Sequence, residues 1–248
     1  MGAVFMESDQ SKVYSRVKSG VPGFDEMVAG GFHKGTVNTV TGPSGTGKTV
    51  FASQFIYSGI KAGEKGMIIT PSESADFLRR EMSSSFGWDF SSLESDGSLT
   101  IVDVTDPVLR LQKSIEADPV EFLINFRKMV ERKLKEVRPS RLFIDDLMAF
   151  FTAVDTPFRM RSLTDDLFAT LRDSTATSVI TIGTAFGMNN IMEYGADSAT
   201  VLNRERIGNV LIRSIYIMKM RGSKIANTIR VLDISDDGMS VSSLSPYP

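Results

Sequence analysis

The sequence predicts an α/β fold: a mainly parallel sheet covered by helices on both faces, with an antiparallel β extension at its C-terminal end. Three observations lead there. Between Thr36 and Thr184, short apolar runs of strand length alternate with longer amphipathic stretches, the order that builds parallel sheets through crossover helices. Beyond Thr200 the alternation stops, and strand-like segments follow one another across turn signals. The chain has 248 residues, 42% hydrophobic and 23% charged. Those values suit one sizeable core and exclude a disordered or fibrous chain.

The elements follow in order. Thr36–Thr41 reads as a strand, followed by a Gly-rich turn and a helix with Val50, Phe51, Phe55, Ile56 and Ile60 at helical spacing. Gly66 opens the short strand Met67–Thr70, and a second helix runs from about Ser74 to Ser85, stopping near Gly87. Leu99–Val104 is a strand. Pro119–Val137 is an amphipathic helix whose apolar face carries Phe122, Phe126, Met129, Val130, Leu134 and Val137. Leu142–Asp145 is a strand of the buried type, Met160–Arg172 a helix and Ser178–Thr184 another strand. Val201–Leu202, Val210–Met220 and Thr228–Ile234 then read as strands, with Asp236-Asp237-Gly238 as a turn into Met239–Val241. No Pro/Gly/Ser-rich linker divides the chain. The reading is an N-terminal arm over 1–18, one domain over 19–242 and a frayed tail over 243–248.

Composition removes several chemistries. The chain has no cysteine and one histidine, so thiol catalysis, iron–sulfur clusters, Cys-type zinc sites and multi-His metal centres are excluded. A net charge of −2 asks for no nucleic acid or acidic membrane. No apolar run reaches membrane-spanning length, and the first residues lack the basic and long apolar regions of a signal peptide, so the expected location is the cytoplasm.

The segment Gly42-Pro-Ser-Gly-Thr-Gly-Lys48-Thr49 fits the phosphate-loop pattern in full, with an apolar strand leading in and an amphipathic helix leading out. In such a loop, successive backbone N–H groups curl around a phosphate at a helix N-terminus, where the dipole favours anions. The binding set is Gly42, Pro43, Ser44, Gly45, Thr46, Gly47, Lys48, Thr49 and Val50. Lys48 places a point charge on the β- and γ-phosphates of ATP, and the Thr49 hydroxyl ligates Mg²⁺. Asp145, at the C-terminal end of an apolar strand, is the carboxylate expected to complete the Mg²⁺ shell. A Gly-rich turn with no ligand is the plainer alternative, and the Lys-Thr pair in the right flanks argues against it.

Ser19-Gly-Val-Pro-Gly-Phe-Asp-Glu26, Gly30-Gly31 and Gly35 ahead of the loop, Phe86-Gly-Trp-Asp89, and Lys219-Met-Arg221-Gly222 resemble the signatures of KaiC-like ATPases of the RecA superfamily. The resemblance runs from about Ser19 to Val241. It implies a RecA-like core and a homo-oligomeric ring, expected to be a hexamer, with nucleotide at the edge of one subunit and the next subunit completing the site. Lys219 and Arg221 would then be the cations that reach the neighbour's γ-phosphate. They alternate with Met218 and Met220, which puts both on one strand face. Two solvated charges on an outer strand are the competing reading.

The chain also departs from the family pattern. Relatives carry two adjacent glutamates after the second strand, one of which activates the attacking water; here only Glu73 stands in Thr70-Pro-Ser-Glu73-Ser-Ala. Asp146 follows Asp145 directly and is a second candidate for the base; a site with neither as base stays open. Gly183 stands where relatives have a polar residue at the end of a strand, so slow catalysis is expected. The function expected is Mg²⁺-ATP binding with slow hydrolysis to ADP and phosphate at subunit interfaces, in a regulatory or signalling role. The alternatives are an ATP-binding regulator without turnover and a recombinase paralogue binding single-stranded DNA, the latter disfavoured by the net charge and the absence of a basic loop interleaved with aromatics. The basic residues Arg127, Lys128, Arg132, Lys133, Lys135 and Arg138 on one helix read as a solvated face. His33 reads as a surface residue, and Trp88 as packing under the end of the second helix.

Overall fold

Apolar residues at every position of a central strand must be buried on both faces, and the computed structural model shows where each face goes. It describes residues 15–104, 118–151, 154, 156–185, 187 and 189–247. The reading of 1–18 as an arm lies mostly outside them. Arg16 and Val17, inside them, form strand β1 (Arg16–Val17), paired antiparallel with β2 (Phe32–His33) around the short helix α1 (Phe24–Met27).

The main sheet has nine strands: β3 (Val37–Gly42), β4 (Gly66–Thr70), β5 (Leu99–Asp103), β6 (Arg141–Ile144), β7 (Thr177–Gly183), β8 (Ser198–Ile207), β9 (Val210–Met220), β10 (Arg230–Ser235) and β11 (Gly238–Val241). Their order across the sheet is β11-β10-β9-β8-β3-β7-β6-β4-β5. From β5 to β8 every pairing is parallel; from β8 to β11 every pairing is antiparallel. The expected parallel core with an antiparallel extension is the architecture observed.

Side-chain alternation divides the buried strands between two cores. Val40, Ile68, Phe143 and Val179 meet Phe51, Phe55 and Ile56 of α2 (Lys48–Lys61), Leu78 and Met82 of α3 (Ala75–Phe86), and Phe90 of α4 (Phe90–Ser95). Their sheet neighbours Val37, Met67, Ile69, Leu142, Ile144 and Ile180 meet α5 (Pro119–Val137) and α7 (Pro157–Asp173) on the other face. Two further helices there are α6 (Met148–Phe151) and α8 (Asn189–Gly195). The long helices begin where their sequence provides caps: the Ser74, Asp118 and Thr156 side chains each accept a hydrogen bond from a backbone N–H in the first turn, and Pro119 and Pro157 open α5 and α7.

The short elements β1, β2, α1, α4, α6 and α8 have no counterpart in the sequence reading, and β8 is longer than read. Helices α4 and α8 span two turns or fewer, too short for an apolar period to show. Strand β8 extends to Ile207 because its polar outer half, Asn203 to Arg206, pairs with β9 as far as Ile207↔Val210. His33 is a correction: it is buried, 7% exposed, with Nε2 2.8 Å from the Ser223 hydroxyl, because β2 tucks beneath the loop that leaves β9. Trp88 is buried and stacks between Phe86 and Tyr57. In the tail, Leu244 O accepts from Val231 N and the Tyr247 hydroxyl donates to Glu205.

Candidate functional site

In a parallel sheet the carboxyl ends of all strands emerge along one edge, and ligands bind in the crevice beyond it. Here β3, β7, β6 and β4 are four consecutive strands of the sheet. Their ends deliver the phosphate loop after β3, Glu73 after β4, Asp145 and Asp146 after β6, and Gly183 at the end of β7. A cleft of about 360 Å³ opens there, lined by Ser44, Gly45, Gly47, Lys48, Thr49 and Val50 with Glu73, Asp145 and Asp146.

The loop passes from β3 directly into α2, so backbone N–H groups at the start of α2 stand at its mouth. Gly47 has φ +99°, and a Cβ there would stand 2.7 Å from Ile234 Cδ1 and Met239 Cε. Only glycine meets both demands. The Thr46 hydroxyl donates to Pro43 O at 2.9 Å and stiffens the turn. Lys48 Nζ donates to Gly42 O and Pro43 O at 2.9 and 3.0 Å, folded onto its own loop. Burial lowers the Lys48 pKa, opposed by the charges of Asp146 and Asp145.

Thr49 and Asp145, 96 residues apart in sequence, are in contact: the hydroxyl donates to Asp145 Oδ1 at 3.2 Å. Thr181 on β7 donates to the same oxygen at 2.6 Å and accepts from Asp146 N at 2.6 Å, so one hydroxyl ties both aspartates to the sheet. Asp145 is 4% exposed. Burial pushes its carboxyl up to about 6, helped by the charges of Glu73 and Asp146 and opposed by the two hydroxyl donors. Asp146 sits at φ +40°, and its Oδ1 accepts from Gly183 N at 3.4 Å. Its carboxylate therefore covers the residue that lacks a side chain. Burial also raises the Glu73 pKa, with the charges of Glu81 and Asp146 adding to it.

Among the described residues, no three His, Asp or Glu side chains converge into a ready-made metal cage. A Mg²⁺ ion carried on a nucleotide needs less, since one or two protein oxygens suffice when phosphates and waters supply the rest. The touching Thr49 hydroxyl and buried Asp145 carboxylate meet that requirement.

Two charged lining residues escaped the sequence reading. Glu81 projects from α3 into the cleft, with its pKa raised by burial and by Asp145. Arg213 on β9 donates to Gly45 O at 3.4 Å. It faces Arg204 across the β8–β9 ladder, and an Arg204 nitrogen stands 3.7 Å from where a Cβ on Gly45 would be. Two like charges directly opposite are unfavourable without an anion, which is the signal an alignment of the two strands would have provided.

The structure does not bring Lys219 and Arg221 to this cleft. Lys219 pairs with Ala199, which is level with Thr39 on β3, about 10 Å down the sheet from Gly42. Both cations donate to Tyr194 O, at 2.9 and 3.3 Å. On α5, Arg127 and Lys135 pair with Glu131, and Arg132 and Lys133 with Glu136, so two of the six basic charges are offset and the face stays net positive. No helix among the described residues is long and apolar enough to cross a membrane.

Comparison with known proteins places the chain among KaiC-type ATPases. Residues 17–245 match the family model described as the KaiC ATPase. A UPF0273 protein of Pyrococcus horikoshii is 30% identical over 233 residues, covering 91% of this chain and 93% of that one. The circadian clock protein KaiC3 of Synechocystis is 31% identical over 214 residues, and the matched region spans only 41% of its length. The crystal structure of a KaiC-like protein from Pyrococcus horikoshii superposes with a TM-score of 0.79 at 34% identity, covering 92% of this chain and 99% of that one.

Proposed function

Because the chain belongs to the KaiC ATPase family, whose ATPase domain implies ATP binding, we propose that it binds Mg²⁺-ATP in this cleft and hydrolyses it slowly, within a ring of subunits. The observation that carries this reading is the contact between Thr49 and Asp145 beneath Lys48, formed by elements remote in sequence.

The residues divide the work as follows. Lys48 exchanges its loop carbonyls for the β- and γ-phosphates, a short swing for a side chain already at the loop. Thr49 and Asp145 would hold a Mg²⁺ ion, which would supply charge neutralisation on those phosphates. Arg213 adds a cation beside Gly45. The attacking water gives its proton to Glu73 or Asp146, its oxygen bonds to the γ-phosphorus, and the bond to the bridging oxygen breaks with ADP leaving. A raised Glu73 pKa makes that carboxylate the better proton acceptor once ionised, whereas Asp146 is held ready by the Gly183 N–H. Lys219 and Arg221, remote from their own subunit's cleft, are available to a neighbour's. That placement supports the ring, expected to be a hexamer, that the family resemblance implies.

Nucleotide binding by Lys48→Ala tests the core of this reading. The variant should keep its fold and lose most of its ATP affinity, because Lys48 contributes charge to the site and little to the core. Equal affinity in titration calorimetry would remove the assignment. Binding with no phosphate release from the wild type would leave an ATP-binding regulator instead.

A further inference from the structure

Arg221 is 59% exposed at its side chain and stands just beyond the end of β9. An unrestrained arginine there would sample many rotamers. Asp197 restrains it together with Tyr194 O, which accepts from Nη2 at 3.3 Å. Asp197 O accepts from Arg221 N at 2.9 Å, and its Oδ1 lies 3.7 Å from Arg221 Nη1. The carboxylate is itself held. Arg172 of α7 grips it with two prongs, Nε to Oδ2 at 3.0 Å and Nη2 to Oδ1 at 3.1 Å, and Val37 N at the base of β3 donates to Oδ2 at 2.9 Å. The Asp197 side chain is only 19% exposed.

Three cations, Arg172, Lys219 and Arg221, thus meet around one carboxylate and the carbonyls of Tyr194 and Gly195. Their mutual repulsion registers at Lys219, whose pKa is lowered by burial and then by Arg221, with Asp197 opposing. On the far side, the chain after Arg221 is pinned at Ser223, whose hydroxyl accepts from Arg16 Nη2 at 2.7 Å and meets His33 Nε2. The finger segment is therefore clamped at both ends, and Asp197 is the charged half of that clamp.

We propose that Asp197 is a positioning residue for Arg221, holding it extended from the end of β9 in the orientation in which it meets the nucleotide of the adjoining subunit. This rests on the reading of Arg221 as acting in trans. Neutralising Asp197 leaves Arg172 and Arg221 without their paired carboxylate, with only the charge of Glu193 still opposing at Lys219; Arg221 turns away toward solvent while the phosphate loop is untouched.

The test is subunit mixing with the full-length protein. Asp197→Asn keeps an oxygen for Val37 N and Arg172 Nε, removes the charge, and replaces the oxygen facing Arg172 Nη2 with an amide donor. It should lower kcat about tenfold to a hundredfold, the scale of a small misplacement, with KM for ATP and ADP affinity unchanged and Tm lowered by the loss of the Arg172 ion pair. Mixed with Lys48→Ala subunits, which carry intact fingers, it should recover activity as Arg221→Ala does in the same mixture. Wild-type kcat in Asp197→Asn overturns the proposal. So does failure of Asp197→Asn to recover while Arg221→Ala recovers, since Asp197 would then act on its own cleft through β3. If Arg221→Ala does not recover although mixed rings are shown to form, the trans reading itself is wrong and the proposal falls with it. Arg172→Lys, which retains the charge but not the two-pronged grip, should show a smaller loss rescued in the same way. It decides the matter if Asp197→Asn does not fold.

Discussion

Burial raises the Asp145 carboxyl to about 6, so near neutral pH the nucleotide-free protein carries a charge that its surroundings disfavour. A carboxyl whose folded pKa lies above its unfolded one costs stability above the folded value, and that cost vanishes as pH falls below the ordinary aspartate range. Asp145→Asn should therefore raise the stability of the nucleotide-free protein by about 1–3 kcal/mol at pH 7.5. The gain should disappear near pH 4, and Mg²⁺-dependent ATP affinity should be lost at every pH. Denaturant melts at the two pH values check the sign. The choice of base is also settled at this scale. Glu73→Gln should retain ATP binding and lower turnover, because an amide accepts no proton at neutral pH. Because the Glu73 pKa is raised, the acid limb of the wild-type rate profile should lie above the usual carboxylate range. If Asp146→Asn abolishes phosphate release and Glu73→Gln does not, the role belongs to Asp146; two fully active variants would exclude both.

Helix α3 places Glu73 through its first turn. Ser74 accepts from Phe77 N, Ala75 N donates to Asp103 Oδ2, and Gly87 ends the helix in the left-handed region at φ +67°. Glu73 thus precedes a cap anchored to β5. Ser74→Ala should cost about 1 kcal/mol of stability and lower turnover more than ATP affinity, since the loop carrying Glu73 loses its anchor while the phosphate loop keeps its own. Equal kcat in the variant would show that the cap does not position Glu73. The start of the helix near Ser74 was legible in the sequence, as were the apolar face of α5 and the strand–loop–helix of the phosphate site. Helices α4 and α8 and the polar half of β8 were not, because two turns carry no readable period and a strand half out of the core loses its apolar pattern.

At the scale of the whole molecule, the two sets of charges lie in different places: the cleft at the carboxyl edge of the parallel strands, and Lys219 with Arg221 lower on β9. Exposed Phe158 and Tyr194 and the 48%-exposed Met218 add apolar surface on the elements around the second set. If a neighbour's nucleotide lies against that surface, ATP bound between subunits favours the assembled form by mass action. Sedimentation should then show a larger species with Mg²⁺-ATP than with no nucleotide, and Arg221→Ala should weaken that dependence. A strictly monomeric protein that releases phosphate at the full rate would sink the ring.

The sequence by itself determined the parallel core, its antiparallel extension and the residues of the phosphate loop, because strand period, helix period and a contiguous loop motif are all local properties. It also placed Asp145 at a strand end. Only the tertiary structure decided that Thr49 and Asp145 touch, that Thr181 ties Asp145 to Asp146, and that Glu81 and Arg213 enter the cleft. It likewise buried His33 and surrounded Asp197 with three cations. Those facts depend on which strands become neighbours and in what register, and that is set by the packing of two cores across residues more than a hundred positions apart.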